Sequence, residues 1–343
     1  MLHFRAMSED RGILVGVDIG GTKTAVVVGE APDDGLSILD RVAFSTEPRA
    51  RPWSNVVDEI IDTARMLVSR HDGGRSRNPA CVGVSCGGPL DSRTGLVQSP
   101  PNLPGWDEVP LTSILERGLG CRAFLQNDAN ACALAEWRFG AGRGARTMVF
   151  LTFGTGMGAG LIIDGRLFEG TNDLAGEVGH VRLAEEGPEG YGKIGSFEAF
   201  CSGGGIARLG RAAAEKRLAE GGTVAFCPDH ASLATITARG VAEAAEAGDS
   251  LAREIYATSG RFLGRGLSML IDIINPERIV IGSIFTRCDS LLRPAMEAEI
   301  AREALPAATR VCRIVPAALG ESIGDYACLS VAVDALGRVG GSS

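Results

Sequence analysis

The chain has 343 residues, 45 % of them apolar, and a formal net charge of −8. That length holds about two domains with cores of their own, and the acidic balance argues against the clustered basic surface that a nucleic-acid partner needs. No apolar run approaches the roughly 18 residues that cross a bilayer, residues 1–11 lack the apolar core of a secretory signal, and the nine cysteines form no CxxC pair. A soluble cytoplasmic protein with reduced, mostly buried thiols is expected.

In chain order, Val15-Gly16-Val17-Asp18-Ile19 and Ala25-Val26-Val27-Val28 are apolar, largely β-branched runs and read as buried strands. Between them Gly20-Gly21-Thr22-Lys23-Thr24 reads as a hairpin turn. Its paired glycines are expected to take positive φ and to let a phosphate approach the turn's N–H groups. It is not a P-loop, because a strand follows the turn where a P-loop has a helix. Alone, it reads equally as an ordinary hairpin capped by Asp18. A third strand is expected over 36–44. The spacing of Val56, Val57, Ile60, Ile61, Ala64, Leu67 and Val68 predicts a helix over 53–69. A charged, glycine-rich loop follows over 70–79, then a buried strand over 81–86 that ends in a turn over 87–91. After the loop 102–106, Pro110 opens a helix over 111–118. A strand over 123–126 delivers Asn127-Asp128-Ala129-Asn130 to an alanine-rich helix over 131–139.

The hairpin device then recurs. A strand over 147–153 leads into Gly154-Thr155-Gly156-Met157-Gly158, and Leu161-Ile162-Ile163 leads out. Two glycine-and-threonine hairpins, each opening one half of the chain, suit a grip on a polyphosphate. This duplication resembles the two-lobed α/β fold of actin-like ATPases and sugar kinases, with mixed sheets flanked by helices. Helices are expected over 206–220, 241–246, 250–274, 291–303 and 324–336, with strands over 279–281 and 311–315. The expected division is an N-terminal lobe over 12–126, a C-terminal lobe over 127–323, and a final helix over 324–336 packing back on the first lobe. Glycines and arginines clustered over 140–146 suit a hinge.

Three polar constellations stand out. Asp128 lies where a strand ends and a helix begins, where N–H groups and the helix dipole favour a carboxylate. It reads either as an N-cap or as a base that takes the proton of an attacking hydroxyl in phosphoryl transfer. Glu177 and His180, in Gly176-Glu177-Val178-Gly179-His180, can share one pocket if the turn is compact; a lone histidine is more often a core residue. Glu198 is a further polar group in an apolar, glycine-rich run. With Asn102, Asn127 and Asp128 they form donors and acceptors suited to a polyhydroxylated ligand.

The motifs Asp18-Ile-Gly-Gly-Thr-Lys-Thr24, Asn102-Leu-Pro-Gly-Trp106, Asn127-Asp-Ala-Asn-Ala131, Phe153-Gly-Thr-Gly-Met-Gly158 and Gly176-Glu-Val-Gly-His180 resemble those of the ROK family (repressors, open reading frames and sugar kinases). They occur in that family's order. The resemblance implies ATP- and Mg²⁺-dependent phosphorylation, at the 6-position, of a hexose or an N-acylaminohexose, and the loop departure described below admits a sugar-like cyclitol as well. It makes Asp128 the catalytic base and Asn102, Asn127, Glu177, His180 and Glu198 sugar-binding residues. Gly20, Gly21, Thr22 and Lys23 then form the first phosphate hairpin, with Asp18 near the metal-bound phosphates. Gly154, Thr155 and Gly156 form the second, and Gly282 a turn close to the nucleotide, where Ser283 replaces a further glycine. The family's members are often homodimers; the helix 250–274 has apolar surface for a partner, although core packing explains it equally.

One departure concerns zinc, which the family commonly holds with the histidine of GxxGH and three cysteines. Here those cysteine places carry Glu189, Tyr191 and Ser196, poor zinc ligands beside thiolate, and no structural zinc is expected. The rebuilt loop leaves the sugar open, with Asp91 and Ser92 near its far side. A sugar-sensing protein without turnover is the rival reading, and a polyphosphate-using kinase a third. Retention of Asp128 and both hairpins speaks against the first, and the lack of a basic groove against the second.

Overall fold

The computed structural model describes residues 12–32, 35–74 and 78–340. The reading of residues 1–11 and the central part of the 70–79 loop lie outside the described residues. The chain divides into two compact units. The first comprises the chain up to Arg143 with Glu169–Asp173 and the residues from Glu321; the second comprises Gly144–Phe168 and Leu174–Gly320.

In the first unit, β1 (Leu14–Ile19), β2 (Lys23–Glu30) and β3 (Ser37–Ser45) form an antiparallel meander. Helix α1 (Trp53–His71) buries the seven apolar positions named above, so its 3.6-residue period found the core face. Strand β4 (Cys81–Cys86) is parallel to β1. The stretch expected as a plain turn is instead the start of a small hairpin, β5 (Leu90–Asp91) with β6 (Leu96–Val97). Helix α2 (Leu111–Leu119), β7 (Ala123–Asn127), parallel to β4, and α3 (Asp128–Phe139) complete this stretch. The sheet order is β3-β2-β1-β4-β7.

The second unit repeats the plan. Strands β8 (Met148–Phe153), β9 (Met157–Ile163) and β10 (Arg166–Phe168) form the meander. A two-stranded ribbon, β11 (Glu189–Gly190) with β12 (Lys193–Ile194), precedes the one-turn helix α4 (Phe197–Phe200). Helix α5 (Gly203–Ala219) starts three residues before the apolar pattern does, because Ser202 caps it by accepting from the Gly205 N–H at 2.9 Å. Then come α6 (Ala238–Glu246) and α7 (Ser250–Ile274), whose apolar face is spent on the core while Met269 and Ile273 stay exposed. Strand β13 (Arg278–Ile281), α8 (Ile284–Glu303), α9 (Pro306–Thr309) and β14 (Arg313–Pro316) follow. Helix α8 begins seven residues before its expected start, since it runs through a non-helical Cys288 and an internal Pro294 that mask its period. The sheet order is β10-β9-β8-β13-β14, with β13 parallel to β8 and β14 parallel to β13. Two mixed sheets of equivalent order, each flanked by helices, form the duplicated α/β architecture of actin-like ATPases.

The chain ends its described course in α10 (Ile323–Gly340), which packs on β1, β4 and α3 of the first unit. This contact corrects the boundary expected between 126 and 127. Because α3 packs against α10, it stays with the first unit and carries Asp128 with it, and the division falls between Arg143 and Gly144. All nine cysteines are free thiols, and no described helix is long and apolar enough to cross a membrane.

Helix α10 meets the sheet at two bare backbones. A Cβ at Gly83 would stand 2.2 Å from the Cys328 carbonyl oxygen and 2.5 Å from the Ala332 nitrogen; one at Gly16 would stand 2.5 Å from Cys328 Sγ. Gly83→Ala must therefore push helix backbone off the sheet, and urea unfolding should show a loss of about 2–3 kcal/mol.

Candidate active site

The first hairpin closes at the Ile19–Thr24 pair, where Gly20 N–H donates to the Lys23 carbonyl at 3.0 Å. Thr46, invisible as a site residue in the sequence, braces it. Its hydroxyl donates to the Gly20 carbonyl at 2.8 Å, and its N–H donates to the Thr22 carbonyl at 3.0 Å. Thr22 and Lys23 are exposed. The glycines' expected positive φ is not found, since neither Gly20 nor Gly21 adopts it. What demands glycine at 21 is space: a Cβ there would lie 2.6 Å from the Asn102 carbonyl oxygen.

Asn102 is exposed on a loop pinned by the fully buried Leu103 and Trp106. Its side-chain amide is close-packed on the bare Gly87, where a Cβ would meet Nδ2 at 3.1 Å. Gly21, Arg49, Asn102 and Pro104 help line a recess of about 380 Å³.

At the end of β1, Asp18 stands in register with Ser85 of the parallel strand β4 and accepts a hydrogen bond from its side chain. Its Oδ2 lies 2.8 Å from where a Cβ on Gly324, at the start of α10, would sit. Burial raises the Asp18 pKa to about 6 against the lowering effect of Ser85; the negative fields of Asp128 and Asp325 add to the rise, and Arg41 opposes it. Arg41 is itself bound to Asp325, Nε to Oδ1, at 2.8 Å.

Asn127, and not Asp128, is the cap of α3: its Oδ1 accepts from the Ala129 N–H at 2.9 Å. Asp128 is the first helical residue, and its Oδ1 accepts from the same N–H at 2.8 Å. One face of Asp128 is open to solvent. Even so, the protein around its carboxyl raises the pKa by desolvation, opposed by the N–H groups of Ala129 and of Asp128 itself.

In the second unit the Gly154-Thr155-Gly156 turn closes at the Phe153–Met157 pair, with Gly154 N–H donating to the Gly156 carbonyl at 3.1 Å. Thr155 is exposed, and the Gly154 carbonyl accepts from the Gly203 N–H at 2.7 Å. Glu198 in α4 takes the Met157 N–H at 3.0 Å, and its Oε2 stands 2.8 Å from where a Cβ on Gly156 would be. The 3₁₀ turn Val178–His180 packs beside it. Gly179 has no room for a Cβ, which would lie 2.1 Å from the Met157 carbonyl oxygen and 3.3 Å from Glu198 Cβ. Glu177, His180 and Glu198 thus belong to one local cluster, with Glu177 and His180 exposed.

The replaced cysteine places have other uses. Glu189 is exposed on β11; Tyr191 is 74 % exposed with φ +47°; Ser196 is buried and caps α4 by accepting from the Ala199 N–H at 3.3 Å. Lys193 Nζ donates to the His180 carbonyl at 2.7 Å and so ties the ribbon to the histidine's turn. Among the described residues, no group of three or more His, Cys, Asp or Glu side chains is arranged to hold a metal.

Gly282 ends β13 with its N–H on the Leu151 carbonyl at 3.0 Å. Ser283 adopts φ +54° and ψ −110°, backbone that glycine takes without strain. Its Oγ lies 3.6 Å from where a Cβ on Gly154 would be, so the strained residue borders the second hairpin. The serine standing for a glycine was the only sequence sign of it. Ser85 and Thr46 had none, because only the strand register and the tertiary fold give them partners.

The model of the ROK family matches residues 14–331. A glucokinase of Thermotoga maritima is 32 % identical over 326 residues, covering 94 % of this chain and 98 % of its own. The crystal structure of a ROK hexokinase from Thermus thermophilus, 27 % identical, has a TM-score of 0.75 and covers 95 % of this chain and 99 % of its own. A ROK family glucokinase from Streptomyces griseus, solved in complex with glucose and AMPPNP, is 29 % identical with a TM-score of 0.69, covering 94 % and 98 %.

The raised Asp18 pKa makes a signed prediction. Between the ordinary carboxylate value of 3.8 and about 6, the folded state binds more protons than the unfolded state. Its contribution is therefore greatest below that window and is lost as the pH rises through it. Compared with Asp18→Asn, the wild type should lose about 1–3 kcal/mol of stability between about pH 4 and pH 7, read by urea titration at each pH.

Proposed function

The chain belongs to the ROK family and is a sugar phosphotransferase, and we propose from that premise that it transfers the γ-phosphoryl group of ATP to the 6-hydroxyl of a hexose. N-acylaminohexoses and sugar-like cyclitols are the next candidates. The observation that carries this reading is Asp128, a carboxylate at the first position of α3 with a raised pKa, beside a second carboxylate at Asp18. A carboxylate whose pKa is shifted upward is a stronger proton acceptor than an ordinary one. Asp128 would accept the proton of the attacking hydroxyl as the bond to phosphorus forms. Phosphoryl transfer asks little covalent chemistry of the protein, so alignment and charge stabilisation dominate.

The sugar-binding set follows from the family resemblance: Asn102, Asn127, Glu177, His180 and Glu198. Carboxylates and amides accept from and donate to vicinal hydroxyls, and a site built to pair them rejects analogues that leave its polar groups unmet. For the nucleotide, the turns at Gly20–Lys23 and Gly154–Gly156 expose backbone to phosphate. Mg²⁺ binds through one or two carboxylates plus substrate phosphates, and Asp18, its charge already disfavoured by burial, fits that role. The ion would neutralise charge on the phosphates.

Two relatives are named glucokinase and one hexokinase, which puts glucose first on a substrate panel. ADP release measured over hexoses, aminosugars and cyclitols tests the reading. No turnover with any of them, alongside retained sugar binding, would favour the sensor. Asp128→Asn should lower kcat by about 10²–10⁴ with an unchanged circular dichroism spectrum, and wild-type turnover would refute the base.

A further inference from the structure

Behind Asn127 and Asp128 lies a polar chain, buried at Gln126 and Asn130 and open to solvent at Arg338, that the proposed chemistry does not use. Gln126, on β7, is 6 % exposed. Its Oε1 accepts from the Asn127 N–H and from Asn130 Nδ2, each at 3.1 Å. Its Nε2 donates to Oε1 of Glu169. With the amide oxygen committed to two donors, only one orientation of the amide is allowed, and its nitrogen must meet an acceptor. Glu169 is that acceptor. It is backed by Arg338 of α10 at 3.7 Å, whose Nε meets Asp334 at 2.8 Å; Asp334 also pairs with Arg138 of α3.

Glu169 opens the segment Glu169–Asp173, which stays with the first unit although the chain on either side belongs to the second. At its other end Asp173 accepts the Ser92 N–H at 2.8 Å and the Ser92 hydroxyl at 2.7 Å. The segment is thus fastened at both ends.

We propose that Gln126 and Glu169 are positioning residues for catalysis: Glu169 locks the Gln126 amide, and Gln126 holds the start of α3 through Asn127 and Asn130, on either side of Asp128. The inference rests on Asp128 being the base. The direction of the Asp128 carboxylate is then set from behind, by a carboxylate some forty residues further along the chain.

Steady-state kinetics on the whole protein test this, with ATP and glucose, or the panel sugar turned over fastest. Glu169→Ala should lower kcat about 10- to 100-fold and leave KM for ATP within about twofold of wild type. Glu169→Gln keeps an oxygen for Gln126 Nε2 and should restore most of the rate. Should Glu169→Ala fail to fold, Glu169→Asp withdraws the acceptor by one methylene and carries the same test. In an Asp128→Asn background, Glu169→Ala should cost no further rate, because the group it orients no longer acts. A wild-type kcat with only a lowered Tm overturns the proposal, and so does a loss that multiplies onto that of Asp128→Asn. Full activity of Asp128→Asn alone would instead overturn the base assignment.

Discussion

The first unit depends on the seating of α10 against bare backbone of β1 and β4. Gly16 and Gly83 let the helix approach until its own peptide atoms touch the sheet. That closeness puts the start of α10 beside Asp18 and the Arg338 end beside Glu169. One helix, held at one distance, thereby fixes the surroundings of two carboxylates that belong to different strands and loops. A side chain at either glycine would disturb both ends together, since a packed interior transmits displacement and does not absorb it.

Each unit holds a feature, buried charge in one and backbone strain in the other, that a sequence selected for stability alone would shed. Asp18 is kept where ionisation is unfavourable, although Ser85 offsets part of that. Ser283 holds glycine-like backbone beside the second hairpin. Each lies by the glycine hairpin of its own unit, in keeping with the usual opposition between stability and activity. The second unit has nothing to match Asp18 on the corresponding turn: Thr152 stands near the end of β8, and its hydroxyl accepts from the Gly158 N–H at 2.9 Å. The two halves share a backbone plan but not their electrostatics.

Much of this was legible in the sequence because it is periodic or local. The β-branched runs around Asp18, the spacing of Val56 to Val68 and the strand-to-helix junction at Asn127 each announce themselves within a few residues. Errors arose where distant chain decides the outcome. Gly21 is required by the loop at Asn102 and not by its own φ. The early start of α8 is hidden by Cys288 and Pro294, which interrupt the apolar pattern without ending the helix. The unit boundary follows α3 onto α10, a contact between residues 196 apart in the sequence that no local pattern records. Gln126 and Glu169 belong to the same class: each is unremarkable in its own segment and acquires a role only from the other.

The contact between α10 and the first sheet also bears on how the protein is made. During synthesis β1 and β4 emerge early, while the helix that covers Gly16 and Gly83 comes only after the whole second unit. Nearly all of that second unit is one run of chain, so its contacts are available sooner after translation. The first unit must wait, with an apolar sheet face uncovered, for a closure of long sequence separation. Such closures are entropically slow and leave partly built sheets open to association. The same bare glycines that let the helix sit closely are therefore satisfied only by a late, long-range closure within the first unit.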